Sequence, residues 1–132
     1  MFSRLIVELD GDGQYKLHTP LVFEDEQFKI TAHVGFVTDG ASIPSALFGI
    51  VGCPFGELYT KAAIMHDLFY RSGVFSRKMS DYLFLKMMLA SGVSRAKARA
   101  MYLGVRAGGE SSYLGMGSPS KFRDFIEIKI KE

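Results

Sequence analysis

Ala62-Ala63-Ile64-Met65-His66-Asp67-Leu68-Phe69-Tyr70 and, a little further on, Ser80-Asp81-Tyr82-Leu83-Phe84 decide how this chain is read. Both are apolar runs that carry ionisable groups. Burying such groups is costly unless they are paired and hydrogen-bonded, so in a core they mark functional sites more often than surface charges do. Read as a helix over 57–72, the first run places His66 on one face with Ala62, Ala63, Phe69 and Tyr70, since face neighbours lie three and four residues apart. On a second helix Asp81 shares a face with Phe84, Leu85 and Met88. Antiparallel packing of the two brings imidazole and carboxylate together. A carboxylate bonded to one ring nitrogen fixes the tautomer and leaves the other nitrogen as a base. Spacing alone supports equally well a structural strut between two helices. Asp67, about a quarter turn away, is left as a ligand or a second partner.

Upstream, residues 1–37 read as β-rich. Leu5, Val7 and Leu9 alternate with polar neighbours, Gly11-Asp12-Gly13 supplies a turn, and Tyr15 and Leu17 continue in a second strand. Leu21-Val22-Phe23 forms a third strand, and Phe28, Ile30, Ala32 and Val34 a fourth, on whose opposite face His33 is exposed. Residues 38–56 form a loop rich in small residues, and long ordered loops in small domains tend to be functional. Residues 57–109 read as three helices, the second capped by Ser76 and the third by Ser94. The third buries Ala98, Met101, Tyr102 and Val105, while Arg95, Arg99 and Arg106 read most simply as a solvated face. Met79, Met87 and Met88 read as core filler. Residues 110–132 read as a flexible segment and a final strand, Ile126, Ile128 and Ile130 alternating with charge, which pairs back onto the N-terminal sheet.

Within the loop, Asp39 follows the hydrophobic strand end Gly35-Phe36-Val37, and Gly40 permits a carbonyl turned inward. A carboxylate plus turned carbonyls suits a hard cation such as calcium, which Asp67 would complete; the residues by themselves favour an Asx-type turn through Asp39 and Ser42. Cys53, His18, His33 and His66 lack zinc-ligand spacing.

The 132 residues suggest a single domain, long enough to bury a core without staples. A net charge of +2 is too small to argue for a nucleic-acid partner. The single cysteine permits no intrachain disulfide, which fits a reducing compartment. Met1-Phe2-Ser3-Arg4-Leu5 lacks the apolar run of a secretory signal, and no stretch approaches the roughly 20 apolar residues of a membrane span. The expected class is α+β, an N-terminal antiparallel sheet joined by the C-terminal strand and packed on three helices.

The run Gly35-Phe36-Val37-Thr38-Asp39-Gly40-Ala41-Ser42-Ile43-Pro44, with Ala63-Ile64-Met65-His66-Asp67-Leu68-Phe69-Tyr70 and Ser80-Asp81, resembles an uncharacterised domain family of tailed phages and prophages over about residues 1–109. More distantly it is similar to bacterial phospholipases A2, which carry a Thr-Asp loop, a His-Asp-x-x-Tyr helix, an Arg-x-x-Asp-like helix and a third helix with tyrosine. The matching positions here are Thr38-Asp39, His66-Asp67 with Tyr70, Arg77 to Asp81 (one residue longer) and Tyr102. The resemblance implies His66 as general base, Asp81 as its orienting carboxylate and Tyr70 in support. Asp39, the Gly40 carbonyl and Asp67 would be calcium ligands. It implies calcium-dependent hydrolysis of lipid esters at a membrane surface. The other function it leaves open is a non-enzymatic virion component, in the tail or in assembly, that binds other phage structural proteins. Synthesis in the host cytoplasm follows in either case. The enzymes of that class are secreted and disulfide-bonded, whereas this chain can form no intrachain disulfide, and they have no counterpart of the N-terminal sheet.

Overall fold

A computed structural model describes residues 1–10, 14–38, 58–110, 112–114 and 119–131. Asp39, Gly40, Ser42 and Cys53 therefore lie outside the described residues. The described elements run β1 (Val7–Leu9), β2 (Tyr15–Leu17), β3 (Leu21–Glu24), β4 (Phe28–Ala32), β5 (Val37–Thr38), α1 (Thr60–Ser72), α2 (Arg77–Ala90), α3 (Arg95–Gly108), α4 (Pro119–Arg123) and β6 (Ile126–Ile130). The class is mixed α+β, with two small antiparallel sheets and three main helices.

The expectation of a single N-terminal sheet changes. The strands divide into β1-β2-β5 and β3-β4-β6. Pro20 stands at the division, after Leu17 and before Leu21. Without an N–H it cannot donate to a ladder, so the chain leaves one sheet there and enters the next. The C-terminal strand does return to the N-terminal half: β6 pairs antiparallel with β4, Ile30 opposite Ile128 and Ala32 opposite Ile126. On the other side of β4, Phe23 lies opposite Ile30. The alternation read through Val34 stops early. Strand β4 ends at Ala32, Val34 sits exposed in the turn that follows, and His33 is only half-buried.

Helix α1 is the centre of the molecule. From Ala62 to Tyr70 every residue is buried, so the helix has no solvent face, as expected of one covered on all sides. The sheets contribute Leu17, Leu21, Phe23 and Ile30 to the same core, and α2 and α3 contribute Phe84, Met87, Met88, Met101 and Val105. Met79, grouped by sequence with the core methionines, is instead 46% exposed, because it lies on the outer face of α2 near its start. The helix ends follow local chemistry. Gly73 closes α1 in the left-handed region (φ 65°), its N–H donating to Phe69 O at 3.0 Å. The Ser76 and Ser94 hydroxyls cap α2 and α3, accepting from the N–H groups of Met79 at 3.1 Å and Lys97 at 3.3 Å. Helix α4 packs on α1, where Arg123 Nε donates to Ser72 O at 2.9 Å, and its Phe122 meets Phe36, just before β5, edge-on at 6.4 Å.

Candidate functional site

Three helices converge on one carboxylate. Asp81 of α2 is fully buried and accepts on Oδ1 from His66 Nε2 at 2.7 Å and from the Tyr70 hydroxyl at 2.5 Å. Both donors come from α1, at positions four apart on one face. On Oδ2 it accepts from Arg106 Nη1, which reaches in from α3 at 2.8 Å. Arg77 Nη1 stands 3.7 Å from Oδ2 and donates to the Val105 and Arg106 carbonyls, each at 3.2 Å, fixing the end of α3 against the start of α2.

The electrostatics give each group a definite state. Burial pushes the Asp81 carboxyl up, but the hydrogen bonds from His66, Tyr70 and Arg106 together pull it below its ordinary value, so it is a carboxylate at neutral pH. Burial holds the His66 imidazole below its ordinary value despite the opposing pull of Asp81, so the ring is neutral. Burial and the neighbouring Asp81 charge push the Tyr70 hydroxyl far up, which keeps it a donor. A neutral ring beside a carboxylate carries its proton on Nε2. Nδ1 is then a bare lone pair, and it is buried with no hydrogen-bond partner among the described residues. The ring is held between Phe84, stacked at 4.6 Å and 28°, and Tyr70 at 4.2 Å.

Of the residues singled out by sequence, His66, Tyr70 and Asp81 are brought together. Asp67 is not part of that cluster. Its Oδ1 accepts from Arg71 Nε at 3.0 Å, one turn along α1, and its Oδ2 accepts from the Thr38 hydroxyl of β5 at 2.8 Å. A divalent cation at Asp67 would stand beside the Arg71 guanidinium and compete for a carboxylate already charge-paired. Of the three ligands implied for calcium, Asp67 is the one that is described, and its surroundings do not fit the ion. Among the described residues no three His, Cys, Asp or Glu side chains gather as a metal site.

Sequence reading missed Arg106 and Gly109. By sequence Arg106 belongs to the solvated face of α3 with Arg95 and Arg99. Its position next to Val105, on the edge of the apolar stripe, was the available signal. Gly109 caps α3 where the backbone passes against Tyr70. A Cβ there would lie 2.6 Å from the Tyr70 hydroxyl oxygen and would also clash with the Val105 carbonyl. The segment beyond it, expected to be flexible, carries specific anchors: Tyr113 donates its hydroxyl to Phe75 O at 2.6 Å, and Leu114 its N–H to Tyr70 O at 3.0 Å.

No solved structure matches this chain significantly. It is 34% identical over 110 residues to the uncharacterized protein y4iH of Sinorhizobium fredii (strain NBRC 101917 / NGR234), covering 79% of this chain and 44% of that one. With the uncharacterized protein y4jT of the same strain it shares 33% over 100 residues, 75% of this chain and 30% of the other. The chain thus spans less than half the length of these curated relatives. Residues 15–105, a stretch holding His66, Tyr70 and Asp81, match a family described as "Protein of unknown function (DUF1353)", and the chain belongs to that family.

Proposed function

We propose that His66 and Asp81 form the base unit of an ester hydrolase whose arrangement resembles that of phospholipase A2, with lipid esters as the substrate class. The observation that carries this reading is the bare, buried Nδ1 on a neutral ring whose other nitrogen is fixed by an ionised carboxylate. The His-Asp-x-x-Tyr spacing and the Tyr70 bond to Asp81 support it. In the reaction, Nδ1 takes a proton from water as its oxygen attacks the ester carbonyl. The imidazolium, stabilised by Asp81, returns that proton to the departing alkoxide as the tetrahedral intermediate collapses. Arg106 and Tyr70 keep Asp81 ionised and oriented, so that the proton stays on His66. The ring is fully buried, so water and substrate reach Nδ1 through local opening of the site. The test compares the protein with His66→Gln on phospholipid vesicles and on short-chain esters, with and without calcium. Ester cleavage by the parent protein and none by the variant is the expected result. Equal cleavage by both removes His66 from the chemistry.

A second reading has its own observation. Both His66 and Asp81 are 0% exposed and link three helices, as a strut in a rigid virion or assembly component of a tailed phage would. Absence of cleavage under all four conditions, with the chain found by mass spectrometry in purified particles of a phage that encodes it, would establish this reading.

A further inference from the structure

The outer surface of α2 and α3 is unlike the rest of the molecule. The two helices carry seven lysines and arginines and a single acidic residue, Asp81, which is buried; Arg77 and Arg106 are engaged with Asp81 and Lys86 with Asp25, while Lys78, Arg95 and Arg99 face outward. Over the whole chain, by contrast, 16 basic residues stand against 14 acidic ones. Within this cationic surface the large apolar side chains of Met79, Tyr82, Leu89 and Leu103 stand 43–62% exposed. They frame two adjoining hollows that meet at Tyr102. One, of about 440 Å³, lies between Leu85, Leu89 and Leu103, with Arg95 and Arg99 at its rim. The other, of about 260 Å³, lies between Met79 and Tyr82, with Lys78 beside it. Lys78, Arg95 and Arg99 are exposed and have no acidic partner among the described residues.

We infer that this face docks on an anionic lipid bilayer. The charge pattern selects an anionic partner, because cations without counter-ions are attracted to an anionic leaflet within about a Debye length. The exposed aliphatic side chains select lipid over nucleic acid. Tyr82 and Tyr102 would serve either partner, but three of the four exposed apolar side chains, Leu89, Leu103 and Met79, are aliphatic; they offer a base no stacking face and gain most by entering the acyl boundary while the guanidiniums stay with the headgroups. The long stems of Lys78, Arg95 and Arg99 allow that division between apolar body and charged head. His66 plays no part in this contact, so docking stands or falls independently of hydrolysis.

The measurement is co-sedimentation of the full chain with large vesicles of phosphatidylcholine alone, or containing one-third phosphatidylglycerol, at 0.05 and 0.15 M salt. Binding is expected to the anionic vesicles only and to weaken with salt. Arg95→Glu/Arg99→Glu should weaken it at least about tenfold. Leu89→Ser/Leu103→Ser should weaken it with charge unchanged, and His66→Gln should bind like the parent. All the substituted docking residues are exposed, and circular dichroism melting checks that each variant is folded. Equal binding to both vesicle types overturns the inference, as does no binding to either, parental binding by the Arg95→Glu/Arg99→Glu variant, or binding to duplex DNA with none to anionic vesicles.

Discussion

Asp81→Ala should be among the most damaging single substitutions in this protein, and the geometry sets the size of the effect. The carboxylate accepts from His66 Nε2 at 2.7 Å, from the Tyr70 hydroxyl at 2.5 Å and from Arg106 Nη1 at 2.8 Å. These donors do not suffer alike when it is removed. Arg106 keeps 30% of its side chain exposed and turns to water, a loss of at most about 1 kcal/mol. His66 and Tyr70, 0% and 1% exposed, have no water to turn to. A buried donor left unpaired costs about 1–3 kcal/mol, so two of them and the lost ion pair amount to about 2–7 kcal/mol. Typical domain stabilities are about 5–15 kcal/mol, which makes this a large fraction of the whole. Urea unfolding followed by circular dichroism is the assay. With m of about 1–3 kcal/mol/M, the midpoint should fall by at least about 0.7 M at unchanged m. A loss below about 1 kcal/mol at unchanged m would refute the reasoning, since the orphaned donors would then have found partners elsewhere.

Acid should weaken the fold in two stages. An unfolded chain protonates histidine near pH 6.5 while burial keeps His66 neutral in the folded state, so stability should decline as pH drops below about 6.5, and His66→Gln should flatten that stage. Asp25 adds the second stage: burial pushes its carboxyl up, but Lys86 and the N–H groups of Phe28 and Gln27 hold it at about 2. Its contribution of about 2 kcal/mol is complete above about pH 4, is lost as pH falls towards 2, and should be missing in Asp25→Asn. Tyr70→Phe should cost about 1.5–3 kcal/mol in urea unfolding, the value of a hydrogen bond to a charged group, and a neutral result would place the hydroxyl outside the network. Gly109→Ala should cost about 1–3 kcal/mol and alter the near-ultraviolet dichroism of Tyr70, whereas a variant of parental stability would show that the approach of Gly109 to Tyr70 is not tight. Millimolar calcium should shift the melting midpoint by less than about 1 °C because Asp67 is held by Arg71 and Thr38; a clear rise would restore the set Asp39, Gly40 and Asp67 as a cation site.

Local sequence carried much of this arrangement. Serines 76 and 94 announced the starts of α2 and α3, because an N-cap acts on its own first turn. The pairing of His66 with Asp81 was legible for a different reason: ionisable groups in apolar runs have few places to go except to each other. What stayed hidden depends on distant parts of the chain. Arg106 reads as one of three solvated arginines until α3 packs on α2, when its side chain alone reaches Oδ2. The ion pair of Asp67 with Arg71 is an ordinary one-turn contact, masked in the reading by the prospect of a metal. The division into two sheets depends on where the chain turns at Pro20, and strand alternation carries no information about which strands become neighbours.

Whether the buried pair is a base or a strut turns on what each role requires of residue 66. A strut requires a donor to Asp81 and nothing more. Imidazole supplies that donor at the expense of a second, buried nitrogen with no partner among the described residues, a cost of about 1–3 kcal/mol that a strut gains nothing from. The neighbours accentuate the asymmetry: with three donors on Asp81, the carboxylate holds its charge and the proton of His66 stays on Nε2, which keeps Nδ1 basic. A base needs that combination. His66→Gln separates the two roles, because the glutamine amide still donates to Asp81 but offers no nitrogen lone pair of imidazole basicity. For a strut, the variant should keep the fold, at a stability lowered by the unpaired amide oxygen and second N–H of the glutamine, and lose no function. For a base, it should hold the fold and lose the ester cleavage, with the Arg106 and Tyr70 contacts to Asp81 intact.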